Sequence, residues 1–211
     1  MKVKLLNLEN AKSDTIEISD KILKHKINYK LIKSVVDWQL NHLKPRTAKT
    51  KQKNEIKGST KKIVPQKGSG GARHASRKAP IFVGGGVAHG PKGAVYKIKK
   101  INKKVRKLAL AHTLSKKNSD KNLFVLTDVK KEIKKTKEFN NFLKKNNLLN
   151  VIIISDLETL KNINKSARNI KNLKIINDAG ANIYDMMKYK NVLLTQSSVK
   201  NLEKRILNEK N

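Results

Sequence analysis

NLFVLT at 122–127, LNVIII at 149–154, LKII at 173–176 and NVLLT at 191–195 are four short apolar runs, and what separates them decides the fold. Each is followed by a stretch with helical periodicity, at about 135–146, 157–170, 182–188 and 198–207. The runs are continuous rather than alternating, so both faces of each strand must be buried, which is the signature of a parallel sheet with helices on its two sides. Working outward toward the N-terminus, VKLLNL at 3–8 and TIEI at 15–18 read as two further strands. Residues 28–43 read as a helix with Leu31, Val35 and Trp38 on one face. Asn102 is placed to cap a helix whose apolar face is Val105, Leu108, Ala109 and His112, with Lys103, Lys104, Arg106 and Lys107 turned outward. The expected body, 1–43 with 102–211, is an α/β, Rossmann-like layer structure with a mostly parallel sheet and helices on both faces.

A different material interrupts that body after its first long helix. Residues 44–107 hold 20 of the 49 basic residues against one acid, Glu55. All four prolines (Pro45, Pro65, Pro80, Pro91) and nine of the ten glycines lie there. Between Lys44 and Gly93 the large apolar residues are Ile56, Ile63, Val64, Ile81, Phe82, Val83 and Val87, too few for a core that offsets ordering entropy. Residues 44–101 are therefore expected to form a long extended basic loop, inserted in the body and ordered by a polyanion.

The whole chain of 211 residues carries a formal charge of +33, far beyond what solubility needs, so nucleic acid is the expected partner. Lysine, asparagine and isoleucine are all abundant, a skew that also fits an A/T-rich genome. Arginine, whose planar fork grips phosphate, is the sharper signal, and Arg46, Arg73, Arg77 and Arg106 are four of only six. No uncharged apolar run exceeds the one around Val151–Ser155, so no membrane span is expected. The start, MKVKLLNLENAK, lacks the features of a signal peptide, and a cytoplasmic protein is expected. With no cysteine, disulfides and thiolate metal sites are excluded, and the scattered histidines His25, His42, His74, His89 and His112 offer no ligand pair at helical spacing. No cofactor or metal is expected.

The residues raise three chemical alternatives. Gly85, Gly90 and Lys92 suggest a phosphate loop, but Pro91 stands where the lysine belongs, no apolar strand precedes it and no helix follows directly. GSGGAR at 68–73 is likewise no dinucleotide fingerprint. Asp128, Asp156 and Asp178 each end a predicted strand, where clustered carboxylates hold magnesium in phosphoryl-transfer enzymes. They also fit helix starts, with Ser155 as N-cap and Glu158 reaching back in a capping box. His112 and Trp38 on apolar helix faces read as core, while His74 and His89 suit either base stacking or solvent. The glycines of the loop are read as letting backbone approach RNA and adopt positive φ, with Arg46, Lys67, Gly68, Gly70 and Lys92 among the RNA-facing positions.

QKGSGGARHASRKAPIFVGGGVAHGPK at 66–92, the basic segment INKKVRKLALAHTLS at 101–115 and the tail SARNIKNLKIINDAGANIYDMMKYKNVLLTQSSVKNLEKRI at 166–206 resemble the large-subunit ribosomal protein four family of bacterial type. The resemblance implies an α/β domain on the large subunit and a loop threading 23S-type rRNA toward the exit tunnel, without enzymatic activity. It also implies roles for particular residues. Lys61, Lys62, Gln66 and Lys67 match the tunnel-proximal tip, and Arg73, Arg77 and Lys78 the RNA-gripping residues. Gly84, Gly85, Gly86, Gly90 and Pro91 match the GGG and GP elements, and Lys103, Lys104, Arg106 and Lys107 the basic helix after the loop. The chain departs from the family pattern at Val64, Pro65, Gly71 and Val83.

The expected function is thus a structural constituent of the large ribosomal subunit that aids its assembly. Its expected partners are large-subunit rRNA, neighbouring large-subunit proteins and the nascent polypeptide in the tunnel. A free basic nucleic-acid-binding protein would account only for the loop. A magnesium-dependent phosphoryl-transfer enzyme would account only for the body.

Overall fold

A computed structural model of the chain describes residues 1–8, 14–44, 47–93, 100–133 and 135–207. It divides into two units, Met1–Leu40 with Lys100–Asn211, and Asn41–Lys99.

The first unit is built on a six-stranded sheet of β1 (Lys2–Leu6), β2 (Asp14–Glu17), β3 (Leu123–Leu126), β4 (Val151–Ser155), β5 (Leu173–Asn177) and β6 (Asn191–Thr195), in the spatial order β2-β1-β3-β6-β4-β5. Only the β1–β2 pair is antiparallel, with Val3 opposite Ile16. The parallel registers set Leu6 beside Leu126, Val125 beside Leu194, Ile153 beside Leu193 and Ile153 beside Ile175. The two fully buried strands, VIIIS and NVLLT, occupy interior positions, whereas the edges β2 and β5 are partly exposed. The fold expected from the four apolar runs is the one present.

Among the described residues seven α-helices accompany the sheet: α1 (Asp20–Leu23), α2 (Tyr29–Leu43), α3 (Lys103–Ser119), α4 (Thr136–Lys145), α5 (Leu157–Ala167), α6 (Ile183–Lys188) and α7 (Gln196–Leu207). The period-2 alternation of each strand splits the core in two. Val125, Ile152, Ile154, Val192 and Leu194 face a cluster with Ile22, Val35, Leu110, Leu114, Met186 and Leu202. Leu126, Val151, Ile153 and Leu193 face a second cluster with Phe139, Leu143 and Ile163. Helices therefore lie on both faces, as expected. Among the described residues no helix is long and apolar enough to cross a membrane.

One element is additional to those expected, and two local expectations are corrected. The single turn α1 carries no periodicity and was invisible in sequence, yet it buries Ile22 and Leu23. Of the expected apolar face of α3, Val105 is partly buried and Ala109 and His112 are buried, but Leu108 is 41% exposed; Leu110 and Leu114 are buried as well, because residues 109–115 are covered nearly all round. The capping box at α5 is absent. Ser155 is buried as the last residue of β4, and Asp156 stands at the N-cap without a side-chain cap bond. Asn102 does occupy the N-cap of α3, though its side chain makes no cap bond.

Candidate nucleic-acid interface

The second unit folds back on itself. Gly93 N donates to Ala48 O (2.8 Å), Thr50 N to Pro91 O (2.9 Å), Val87 N to Lys51 O (2.9 Å) and Ile63 N to Ala75 O (3.1 Å). These partners are disposed nearly symmetrically about Ser69–Gly70, so the turn-round falls at GSGG. There Gly68 and Gly70 have φ of 82° and 66°, which an L side chain rarely adopts. Lys61 and Lys62 flank the Ile63–Ala75 closure, Gln66 and Lys67 lie inside it, and all four are exposed. Lys62 Nζ also donates to Gln66 Oε1.

The expected reason for the glycines divides in two. Gly68, Gly70 and Gly84 have positive φ and nothing within 4 Å of a notional Cβ. By contrast a Cβ at Gly85 would lie 2.0 Å from Ala79 O, at Gly86 2.3 Å from Lys53 N, and at Gly90 2.0 Å from Thr50 Oγ1. At these three the close approach that excludes a side chain is to the protein's own chain. Gly86 N further donates to Lys78 O (3.0 Å) and Gly85 N to Phe82 O (2.9 Å), closing the Ser76–Gly86 segment on itself.

The cations are distributed around this scaffold. Lys67, Arg73, Arg77 and Lys92 are exposed and Lys78 is half-buried. Arg46 lies outside the described residues. Glu55, the one acid in the segment, is occupied locally: its carboxylate accepts from Gln52 N (3.2 Å) and pairs with Lys49 (3.5 Å). The Gln52 amide and the Lys49 charge hold its pKa below the usual carboxylate value. No carboxylate therefore neutralises Lys67, Arg73, Arg77 or Lys92 among the described residues. Of the two loop histidines, His74 meets the Phe82 ring edge-on at 5.0 Å, and His89 is exposed with φ of 54°.

In the first unit the basic start of α3 is displayed as the sequence suggested. Lys103, Lys104 and Arg106 are exposed and Lys107 is half-buried. Arg106 is set over the ring of Trp38, 5.2 Å from its centroid. Trp38 packs partly buried against the core, as expected, but its cationic neighbour was not foreseen, because residues 38 and 106 are distant in sequence. Arg205 was also missed; its guanidinium donates to Asp178 O (3.0 Å) and Ala179 O (3.2 Å).

The strand-end aspartates serve helix starts and turns. Asp128 accepts from Ser197 N (3.1 Å) and Ser197 Oγ (2.9 Å), satisfying one amide at the start of α7 and placing a negative charge at its N-terminus. Asp156 is the N-cap of α5, and Asp178 accepts from Ala179 N and Asn201 Nδ2 (both 2.6 Å). Among the described residues no group of three or more His, Asp or Glu side chains is placed to hold a metal ion.

A Rossmann-like body with a glycine-rich cationic insertion is the class of architecture that the two units define. The model of the Ribosomal protein L4/L1 family matches residues 16–205, and the chain belongs to that family. It is 51% identical over 206 residues to the large ribosomal subunit protein uL4 of Pelagibacter ubique, covering 97% of this chain and 99% of that protein. It is 36% identical to the protein of the same description from Hyphomonas neptunium, over 97% of this chain and 96% of that one. For the one from Rickettsia akari the identity is 39%, over 98% of this chain and all of that one.

Proposed function

We propose that the chain is a non-enzymatic structural constituent of the large ribosomal subunit, in the cytoplasm. It binds 23S-type rRNA, promotes subunit assembly and sends its insertion toward the polypeptide exit tunnel. The supporting observation is the cationic surface of residues 47–93: its single acid is spent on Lys49 and Gln52, while Arg73, Arg77, Lys67 and Lys92 are left facing outward. Such a surface neutralises backbone phosphates and releases their counterions. Arg46, Lys78 and the α3 residues Lys103, Lys104, Arg106 and Lys107 complete the rRNA-facing set. Gly68, Gly70 and Gly84 let the backbone turn there, whereas Gly85, Gly86 and Gly90 contribute by shaping the stem. In this reading residues 44–101 thread the RNA and 1–43 with 102–211 form the body. Lys61, Lys62, Gln66 and Lys67 sit nearest the tunnel, where the nascent chain passes, and neighbouring large-subunit proteins touch the body.

The family and the relatives' names support this reading over a free nucleic-acid-binding protein, and with Asp128 bonded to Ser197 and Asp178 to Ala179 and Asn201, the described residues offer a magnesium enzyme no carboxylate cluster. The experiment is to purify the tagged protein from cells in high salt and sequence the RNA that stays with it. Large-subunit rRNA, together with sedimentation in the large subunit, is the expected result. A sequence-indifferent mixture of RNA and DNA would replace the ribosomal reading with the free-binder one.

A further inference from the structure

Within the first unit, α2, the start of α3, the turn at 178–182 and α7 enclose a cleft of about 390 Å³. We propose that this cleft takes one unpaired ribonucleotide of the large-subunit RNA, its base laid against the Trp38–Arg106 pair and its flanking phosphates held by Lys103 and Arg205. The proposal rests on the rRNA-binding reading above and specifies a site for it on the body, away from the insertion's own sequence.

The cleft has the composition of a nucleotide site. Its floor is apolar, from Val35, Leu110 and Ile183, all buried. Four cations line it (Lys103, Arg106, Lys107 and Arg205) and no carboxylate does. A volume near 390 Å³ falls within the roughly 300–1,000 Å³ of small-ligand sites, enough for a base and sugar but not for stacked pairs of a duplex. Trp38 is the chain's only tryptophan, and a guanidinium over its ring presents a flat cationic surface on which a base can stack.

The cations are also poised. Among the described residues Lys103, Arg106 and Arg205 form no salt bridge, and Asp178, whose backbone carbonyl Arg205 bonds, has its carboxylate engaged by Asn201 and the Ala179 amide. Arg205 is held against the turn through one terminal nitrogen, which bonds the carbonyls of Asp178 and Ala179, leaving the rest of its five-donor fork for an anion. Gln39 is held by its carbonyl, which accepts from Tyr184 N (2.9 Å), so its amide NH2 is available to a base edge. A duplex hides its bases from such a site, whereas an unpaired nucleotide offers base face, base edge and phosphate together.

Trp38 makes the test direct. The full-length protein is titrated with an unstructured hexaribonucleotide, a blunt RNA duplex, inorganic polyphosphate and a mononucleotide. Tryptophan emission reports the cleft, and anisotropy of labelled RNA reports total binding. The expected result is a saturable emission change with the hexanucleotide alone, with the half-point raised about tenfold in Arg106→Gln and in Arg205→Gln. Both substituted side chains are exposed, so an unchanged denaturation midpoint shows that the variants are folded. Three results overturn the proposal: RNA binding by anisotropy with no emission change, an equal change with duplex or polyphosphate, or tighter saturation by the mononucleotide, which would assign the cleft to a free nucleotide. Failure to retain large-subunit rRNA in the purification experiment is a separate outcome and counts against the function itself.

Discussion

Thr50 occupies the space that a side chain at Gly90 would need: a Cβ there would fall 2.0 Å from Thr50 Oγ1, and Thr50 N donates to Pro91 O at 2.9 Å. The glycine and the hydrogen bond together join the two legs of the insertion. The same close packing recurs at Gly86 over the Lys53 backbone, where no flexible side chain can yield.

Gly86→Ala is therefore expected to disturb the insertion, at about 1–3 kcal/mol for overpacking a tight contact. Gly71→Ala, at negative φ with only one atom near 3.9 Å, is expected to be silent. Limited proteolysis within 44–101 and affinity for large-subunit rRNA check the pair. Equal behaviour of the two variants would show that the stem packing is immaterial.

Arg73 and Arg77 are exposed. Replacing both by alanine should weaken rRNA binding and flatten the log–log salt dependence by about two units, since each phosphate contact contributes roughly 0.9. Filter binding across a salt series measures the slope, and an unchanged slope would remove both from the phosphate contacts.

Residues 64–74 lie beyond the last pairing, Ile63 with Ala75. Exchanging residues 64–72 of these for a short Gly-Ser linker, which spares Arg73, with Lys61→Ala and Lys62→Ala, should leave subunit sedimentation normal while changing macrolide binding and nascent-chain stalling. Normal drug binding and stalling in such subunits would refute the tunnel placement. Loss of assembly would move the anchoring contacts to the tip.

His112 is 8% exposed, with the His25 ring 5.2 Å away. Burial first, then the charge of His25, lowers its pKa from 6.5, against an opposing hydrogen bond with the Lys26 backbone. The unfolded chain takes up a proton near pH 6.5 and the folded chain only at lower pH, so stability falls as pH drops through that window. Urea midpoints at about pH 7.5 and about pH 5 should differ more in the wild type than in His112→Gln, which removes this titration.

Lys117 is 6% exposed and donates to Tyr189 O (2.8 Å) and Lys190 O (3.0 Å), and burial lowers its pKa. Lys117→Met strips both carbonyls, just before β6, of their donor. A loss of about 1–3 kcal/mol is expected, seen as a lower urea midpoint at unchanged slope.

What the sequence by itself determined was the sheet, its burial and the cationic interruption. VIIIS and NVLLT have no polar face to give to water, so they must be interior, and the residues following Lys44 lack apolar material for a core of their own. Those are properties of local composition and period, which any neighbourhood must respect. What only the tertiary structure decided were relations between distant residues: Asp128 capping α7, Arg106 over Trp38, Arg205 on the turn after β5, and Thr50 excluding a side chain at Gly90. No local pattern encodes these, because each depends on which strand lies beside which and on how the insertion's legs register. The glycines show the limit most plainly. Their clustering marked an unusual backbone, but whether each was glycine for its φ or for its neighbour could be settled only once the neighbour was in place.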